Sequence, residues 1–216
     1  MKIYTKEELN NHHLSLTYDD LSLIPTEISN VKTRTEVNIK SEFMGVELAV
    51  PVVSSPMDSV TGIAMAKELT ALGCLGVVNR FGSTLNELFV DGKLTEGVRA
   101  VSISLTADDS IIEAIAANNL IVCIDTANAN NAYVLRKCEE IKKKYNVKVM
   151  VGNIAHGKSL KDLVNAGADS VRIGIGGGSM CTTSVQTGIG IGQISSLLDV
   201  YFTRKEQKLN IELIAD

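Results

Sequence analysis

Short apolar runs alternate with amphipathic segments along the chain, and this alternation limits the fold more than any other feature. The runs are continuous, as expected for strands of a parallel sheet that is covered on both faces. Strands that alternate with helices predict an α/β fold with a parallel sheet. The seven predicted strands are Val50–Ser54, Leu75–Val78, Val98–Ser102, Ile121–Asp125, Lys148–Gly152, Ser170–Gly174 and Ile211–Ala215.

Helical periodicity fills the segments between these strands. In the clearest case, Ala132–Tyr145, apolar residues recur on one face and three lysines, Lys142–Lys144, occupy the last turns. Cations at that end complement the helix dipole. The predicted helices are Ile63–Leu72, Asp109–Asn118, Ala132–Tyr145, Leu160–Ala166 and a stretch near Ile194–Tyr201.

Polar and glycine-rich residues follow most of the predicted strands. A doubly wound sheet and a (β/α)8 barrel both fit the alternation, but a doubly wound sheet concentrates its chemistry at one switch point. In a barrel every strand end faces one site, so the pattern favours the barrel. Such a barrel usually has eight strands and about 250 residues. With 216 residues and seven strands, this chain is expected to form an incomplete TIM (β/α)8-type barrel in a single catalytic-type domain, 1–216, that lacks its C-terminal part.

Charge and composition exclude several classes of partner. The formal net charge is −4, aromatic residues make up 4%, and tryptophan is absent. Without a basic surplus or stacking platforms, nucleic-acid binding is not expected. The N-terminus, Met1–Leu14, is polar, and no run approaches 18 apolar residues, so neither a secretory signal nor a membrane span is predicted. A cytoplasmic location is expected.

The four cysteines do not form a metal or disulfide pattern. No pair has C-x-x-C spacing and no histidine lies close to one in sequence, which disfavours a zinc site or a disulfide framework. Cys74 and Cys123 lie in apolar runs and are predicted to be buried, and Cys138 lies in a predicted helix. Only Cys181 lies in a segment whose residue types could take part in a reaction.

That segment runs from Arg172 to Thr183, where a strand leads into a glycine-rich loop. Glycines allow backbone N–H groups to approach a phosphate, and Ser179 adds a hydroxyl. Backbone amides or a bound cation lower the pKa of a thiol such as Cys181, and Thr183 could exchange a proton. The alternative is a flexible loop with an incidental cysteine, and the residues alone leave both interpretations open.

The loop and several other motifs resemble the IMP dehydrogenase/GMP reductase family. Gly174–Thr183, followed by Thr187–Gly190, is similar to the catalytic loop of that family. The resemblance extends from about Leu16 to Asp216, and the motifs occur in the family's order. The other matching segments are Leu16–Pro25, Pro51–Thr61, Asp125–Ala127, Gly152–Asn153 and Ile214–Asp216.

The resemblance implies a TIM barrel that binds a purine nucleotide (GMP, IMP or XMP) and a nicotinamide dinucleotide, NADPH or NAD. It implies that Cys181 attacks C2 of the purine and that Thr183 is the catalytic threonine. Ser55, Met57, Ser179 and Asp216 match substrate-binding residues, with Asp216 accepting the two ribose hydroxyls. The residues that match the nicotinamide side are Asp125, Thr126, Asn153, Arg172 and Gly174. The carbonyls of Gly176, Gly178 and Cys181 match a monovalent-cation site, which implies K+, and the family is typically tetrameric.

Motif details divide between the two reactions of the family. IMP dehydrogenases usually carry a pair of CBS modules after the second strand, whereas here only about twenty residues separate Asn79 from Val98, so no CBS domains are expected. Val101–Ser104 and Val31–Glu36 are more similar to GMP reductase. Ser54–Thr61 and Asp125–Ala127 are more similar to the dehydrogenase. The balance favours the reductase slightly.

Two departures from the family pattern qualify the prediction. The family has arginine directly after the two threonines, where this chain has Ser184, and a hydroxyl does not replace a permanent charge. The sequence also ends at Asp216, before the family's eighth strand. Three hypotheses follow: a fragment of an active oxidoreductase, a split enzyme completed by a C-terminal partner chain, or a non-catalytic nucleotide-binding remnant.

Overall fold

The architecture is a parallel sheet that forms part of an α/β TIM-type barrel. A computed structural model describes residues 15–25, 27–82, 84–90, 93–178 and 181–216. Six strands pair in the order β10-β9-β8-β7-β6-β3, and each neighbouring pair is parallel. The six strands are β3 (Val77–Val78), β6 (Ala100–Ile103), β7 (Ile121–Asp125), β8 (Val149–Ile154), β9 (Ser170–Ile173) and β10 (Glu212–Ala215).

Helices connect these strands, and all five predicted helices are confirmed to within a few residues. Two further short helices, Thr84–Leu88 and Thr183–Thr187, were not predicted, since five residues contain too little periodicity to detect. Among the described residues, no helix has the length and apolar character needed to cross a membrane. The helices are α1 (Ile63–Ala71), α2 (Thr84–Leu88), α3 (Asp109–Ala117), α4 (Ala132–Lys144), α5 (Leu160–Asn165), α6 (Thr183–Thr187) and α7 (Gln193–Glu206).

The first predicted strand, Val50–Ser54, differs most from its prediction. It is reduced to one parallel bridge between Val53 and Leu75, together with hydrogen bonds from Leu75 N to Val52 O at 3.0 Å and from Ser54 N to Leu75 O at 2.9 Å. This segment therefore lies beside β3 in the position of a first barrel strand. The apolar run therefore predicted where this segment lies, but the segment pairs over too few residues to count as a regular strand.

Two antiparallel hairpins add to the barrel pattern. The first joins β1 (Ser41–Phe43) to β2 (Val46–Leu48), and the second joins β4 (Phe89–Val90) to β5 (Lys93–Leu94). In the first hairpin, Phe43, Met44 and Leu48 are buried against the apolar side chains inside the sheet. The Met44 N–H also donates to both Glu212 carboxylate oxygens at 3.1 Å. This hairpin therefore closes the amino-terminal end of the barrel interior, away from the strand ends that carry the polar residues.

Burial separates two apolar layers. The larger layer lies between the outer face of the sheet and the helices, and includes Ile103, Ile124, Ile154 and Leu163, each at most 1% exposed. The smaller layer fills the barrel interior with residues of the opposite strand parity, such as Val77, Ala100 and Met150. Continuous apolar strands have this distribution because successive side chains point to opposite faces.

Stability of this fold is expected to fall in acid because of Asp169. Its carboxylate accepts bonds from Lys142 Nζ and Lys148 Nζ at 3.0 Å and from Val149 N at 2.8 Å. Burial raises the pKa of Asp169, but these three donors outweigh it and hold the pKa below its usual 3.8. A depressed folded-state pKa stabilises the protein above the unfolded value and loses that effect as pH falls through the folded value. Between pH 6 and pH 3, the free energy of unfolding measured with urea should therefore decrease less for Asp169→Asn than for the wild type. An equal decrease in both would contradict this prediction.

Candidate active site

A buried arginine lies between two aspartates at the carboxyl end of the sheet. Arg172 is on β9, Asp125 ends β7 and Asp216 directly follows β10. Arg172 Nη2 lies 3.0 Å from Asp216 Oδ2, and Nη1 lies 3.4 Å from Asp125 Oδ1. Only 7% of the Arg172 side chain is exposed. The guanidinium therefore links three strands at the end of the barrel where (β/α)8 enzymes place their active sites.

Asp216 accepts more hydrogen bonds than Asp125 does. Besides Arg172, it accepts a hydrogen bond from Ser55 Oγ at 3.1 Å and another from Asn153 Nδ2. Burial raises the pKa of Asp216, but the charge of Arg172 and the three hydrogen-bond donors outweigh burial and lower it. The carboxylate is therefore ionised at neutral pH and held in a defined orientation.

Asp125 is less tightly held. Its second oxygen, Oδ2, faces Arg80 Nε at 3.6 Å, and the guanidinium of Arg80 lies over the Phe81 ring at 4.4 Å from its centroid. Burial raises the pKa of Asp125 more than the two arginines lower it. Arg80 Nε is buried with no hydrogen-bond partner. These groups therefore retain capacity for hydrogen bonds that the protein itself does not use.

Loop contacts connect this cluster to the next two strand ends. Thr126 N and Oγ1 donate to Gly152 O at 2.8 and 3.1 Å, and Asn153 N donates to Thr126 O at 2.9 Å. The Asn153 amide also donates to Gly174 O at 2.7 Å. Asn153 thus contacts both the Asp216 carboxylate and the first residue of the glycine-rich loop.

Cys123 lies on β7, close enough to Arg172 to be affected by its charge, and is fully buried. Burial raises the pKa of Cys123 to about 11, although the positive charge of Arg172 opposes the rise. The Cys123 thiol is therefore protonated at neutral pH and is not a nucleophile.

Cys181 has the opposite character. Among the four cysteines it is exposed and the other three are buried. Hydrogen bonding from Thr183, at the start of α6, and more weakly from the backbone N–H of Gly176 lowers the pKa of the Cys181 thiol. The Cys181 N–H donates to Gly178 O at 3.1 Å. This turn presents an accessible sulfur with an increased thiolate fraction.

The remaining predicted residues are placed less centrally. Met57 is 52% exposed, and its carbonyl accepts the Thr61 N–H at 3.0 Å. Gly174 and Gly176 have φ of +141° and +71°, a conformation that favours glycine. An added Cβ on Gly176 would lie 2.6 Å from the Ser184 Cβ. Ser179 lies outside the residues that the structure describes.

Two site residues had no clear sequence signal. Arg80 follows β3, and its position against Asp125 depends on the pairing of strands that are distant in sequence. Gln193 begins α7, is 4% exposed and donates from Nε2 to Ile173 O at 2.6 Å. It packs under Gly174, where an added Cβ would lie 2.4 Å from Gln193 Oε1. A glutamine after a glycine-rich stretch does not predict that its side chain will be buried.

Acidic, histidine and cysteine side chains do not gather into a metal centre in the described part of the chain, where no group of three or more of them could hold an ion. A cation at the loop would depend on backbone carbonyls instead. Of the three predicted ones, Gly178 O already accepts the Cys181 N–H.

Comparisons with known proteins agree with the geometry. A family model described as the IMP dehydrogenase / GMP reductase domain matches residues 15–89 and 91–216. The chain is 29% identical to inosine-5'-monophosphate dehydrogenase of Borreliella burgdorferi, over 94% of this chain and 63% of that protein. It is 31% identical to GMP reductase of Vibrio cholerae, over 86% of this chain and 57% of that protein. It is also 31% identical to GMP reductase of Lysinibacillus sphaericus, over 81% and 55% respectively.

The chain thus spans about 55–63% of the length of these curated relatives. Their names denote both a dehydrogenase and a reductase, so the type of reaction is not resolved by similarity. The family model covers nearly all of the described residues, including the strand ends and the glycine-rich loop. The chain belongs to the IMP dehydrogenase/GMP reductase family.

Proposed function

We propose that this chain forms the nucleotide-binding part of an NAD(P)-dependent purine nucleotide oxidoreductase of the GMP reductase type. The observation that carries the proposal is the exposed Cys181 thiol, whose pKa Thr183 lowers, on the same barrel end as Asp216. An activated thiol is the group required for covalent attack on a purine carbon.

Substrate binding is assigned to the residues around Asp216. Its carboxylate accepts bonds from Ser55 and Asn153 and is ionised, so it offers two oxygens to the two hydroxyls of a ribose. Ser55 would orient this carboxylate, Met57 would line the base, and Ser179 would contact the phosphate. This assignment places the purine between Asp216 and the Cys181 loop.

The chemistry assigned to Cys181 is addition and elimination at C2 of GMP. The thiolate forms a C2–S bond, the C2–N bond to the exocyclic amine breaks, and ammonia leaves with a proton that Thr183 transfers. Hydride then adds to C2, the C2–S bond breaks, and the thiolate is regenerated with IMP. In total, GMP, NADPH and two protons give IMP, NADP+ and ammonium.

The residues at Asp125 fit a nicotinamide. Arg80 Nε is buried and makes no hydrogen bond, and the Asp125 oxygens lie 3.4 and 3.6 Å from their arginine nitrogens, longer than a tight charge-assisted bond. Such groups can accept and donate to an amide and to ribose hydroxyls. When bound, the dinucleotide supplies the hydride. The residues proposed to hold it are Asp125, Thr126, Asn153, Arg172 and Gly174.

The compact connection between β3 and β6 favours the reductase. It consists of α2 and the β4–β5 hairpin, in the place where dehydrogenases usually carry CBS modules. The alternative is IMP dehydrogenase, which forms XMP with NAD, and the motifs at Ser54–Thr61 and Asp125–Ala127 favour it. K+ bound to the carbonyls of Gly176, Gly178 and Cys181 remains part of the proposal.

A homotetramer is the oligomeric state proposed by family resemblance. A C-terminal partner chain that completes the barrel, and a nucleotide-binding role without turnover, are the other two hypotheses for a chain of this length. Both predict nucleotide binding near Cys181, and only the second predicts no turnover when the remaining part of the barrel is supplied.

Nucleotide is expected to protect Cys181 selectively from alkylation. Iodoacetamide should label Cys181 first, because Cys74, Cys123 and Cys138 are buried, and saturating GMP or IMP should slow the labelling at least about tenfold by covering the sulfur. Peptide mapping by mass spectrometry measures the adduct. NADPH oxidation with GMP and NAD reduction with IMP, measured beside it, distinguish the two reactions. Equal labelling of all four cysteines with and without nucleotide would refute the proposal.

A further inference from the structure

The Cys181 loop, residues 174–192, is rich in glycine. Between residues 174 and 192, seven of nineteen residues are glycine, and glycine loses more backbone entropy on ordering than any other residue. Cys181 is also exposed, so it gains little from packing. Contacts from outside the loop therefore matter for a defined position of its sulfur.

The first end of the loop has such anchors in the sheet. Gly174 N donates to Ile154 O at 2.9 Å, and Gly174 O accepts from Asn153 Nδ2 at 2.7 Å. One bond inside the loop, from Ile191 N to Ile175 O at 3.2 Å, brings its two ends together. The second end leads into α7, whose first N–H groups lack partners within the helix.

Those N–H groups bind a segment that is distant in sequence. We call residues Ser15–Asp20 the arm. The carbonyl of Leu16 accepts from Ile194 N at 3.0 Å and from Ser195 N at 3.2 Å, and Leu16 N donates to Ser195 Oγ at 2.8 Å. The arm therefore caps α7 at the point where the Cys181 loop ends.

Gly192 completes this contact. Its N–H donates to Ser15 Oγ, and an added Cβ would lie 2.3 Å from Leu16 O and 2.8 Å from Ser15 Oγ. Its φ of −57° and ψ of 136° are accessible to any residue. Glycine is therefore needed here for the approach of the arm rather than for backbone conformation.

The arm itself is preorganised for docking. Asp20 Oδ2 accepts from Thr17 N at 2.6 Å and from Thr17 Oγ1 at 3.0 Å, which closes a 3-10 turn over Tyr18–Asp20 directly after Leu16. This local turn directs the Leu16 carbonyl toward α7 without contributing any residue to the site.

We propose that the arm is a positioning element: docking of Ser15 and Leu16 on the start of α7 fixes the second end of the Cys181 loop and thereby holds Cys181 in a defined position. This deepens the function proposed above, because it names residues that act on the nucleophile through the loop. The bonds of Ser15 and Leu16 described above join Gly192, Ile194 and Ser195, at the start of α7.

Gly192→Ala tests this in the 216-residue chain, with Gly62→Ala as its matched control. Gly62 also precedes the first residue of a helix, α1, and an added Cβ there meets nothing within 4 Å. Two quantities are measured without nucleotide: amide hydrogen exchange at Ile194 and Ser195, and the pH dependence of iodoacetamide alkylation at Cys181.

In Gly192→Ala, we expect at least about tenfold faster exchange at these amides. We also expect about three- to tenfold slower alkylation at pH 7, with a thiol titration moved to higher pH, because a displaced loop no longer keeps Cys181 beside the groups that lower its pKa. Gly62→Ala should match the wild type in both. Ser15→Ala combined with Ser195→Ala should reproduce both effects if Gly192→Ala does not fold.

Two outcomes would overturn the proposal. One is fast amide exchange with an unchanged alkylation profile, which would make the arm irrelevant to the thiol. The other is amide exchange equal to that of Gly62→Ala, which would mean that the arm does not depend on Gly192. Neither measurement requires turnover, so failure of the proposed function, seen as absent nucleotide protection, remains distinct from failure of this inference.

Discussion

Under the proposed function, Cys181→Ser is expected to lower nucleotide-dependent hydride transfer by at least about 10⁴-fold, since a serine hydroxyl at this position is not ionised at neutral pH. The effect follows from the environment of the sulfur, because Thr183 and the backbone N–H of Gly176 stabilise a thiolate but leave a hydroxyl of high pKa protonated. The fold should persist, because the side chain is exposed. Initial rates with GMP and NADPH, and with IMP and NAD, measure the loss.

Cys74→Ser is the control for this experiment. Cys74 is 9% exposed and lies just after α1, outside the cluster around Asp216. Its replacement should leave the rate per folded molecule within about twofold, because it changes a buried surface and no reacting group. A wild-type rate in Cys181→Ser would remove Cys181 from the mechanism.

Arg172→Met is expected to destabilise the protein by about 3–5 kcal/mol, the usual cost of removing one partner from a buried ion pair. Methionine matches much of the arginine stem but leaves the carboxylates of Asp125 and Asp216 without their shared cation. Asp216 then loses its nearest charge partner, at 3.0 Å, and the two carboxylates repel each other. Urea unfolding at pH 7 measures the change in the free energy of unfolding.

The loss in the free energy of unfolding of Arg172→Met should depend on pH in a defined direction. In the wild type the pKa of Asp216 lies below its usual 3.8, so its contribution is present at higher pH and is lost as pH falls through the folded value. The variant lacks this contribution, and its two carboxylates become neutral in acid. The difference from the wild type is therefore largest at neutral pH and decreases toward pH 3.

Arg136→Met provides the comparison. Arg136 is exposed and lies over the Tyr133 ring, with its guanidinium carbon 4.4 Å from the centroid, a contact of about 0.5–1 kcal/mol at exposed sites. Arg136→Met should therefore lower the free energy of unfolding several times less than Arg172→Met does. Equal losses in the two variants would show that the buried network contributes no more than a surface contact.

Regular elements of the barrel were predictable because each carries its own pattern. The predicted helix Ala132–Tyr145 agrees with α4 to within one residue, since its lysines and apolar face mark both its end and its orientation. The strand Ile121–Asp125 agrees with β7. The β4–β5 hairpin was not predicted, because strands of two residues are shorter than one repeat of any pattern.

Site residues divide in a similar way. Cys181, Thr183 and Asp216 lie in motifs that resemble the family, and the resemblance predicts them as site residues. The contact between Arg80 and Asp125 was not predicted, and neither was the bond between Gln193 and Ile173 O. These residues come from separate strands and helices, and their distances depend on how far each strand extends and how the sheet curls.

The sequence by itself determined the order of strands and helices, the parallel sheet and the identity of the exposed cysteine loop, because hydrophobic periodicity and glycine spacing are local properties. Only the tertiary structure decided which charges share a site and which segment holds the loop. Arg172 bridges Asp125 and Asp216 across the ends of β7, β9 and β10, and Leu16 reaches Ser195 from 179 residues away. Contacts of this kind arise from chain folding, which brings together groups that no local pattern connects.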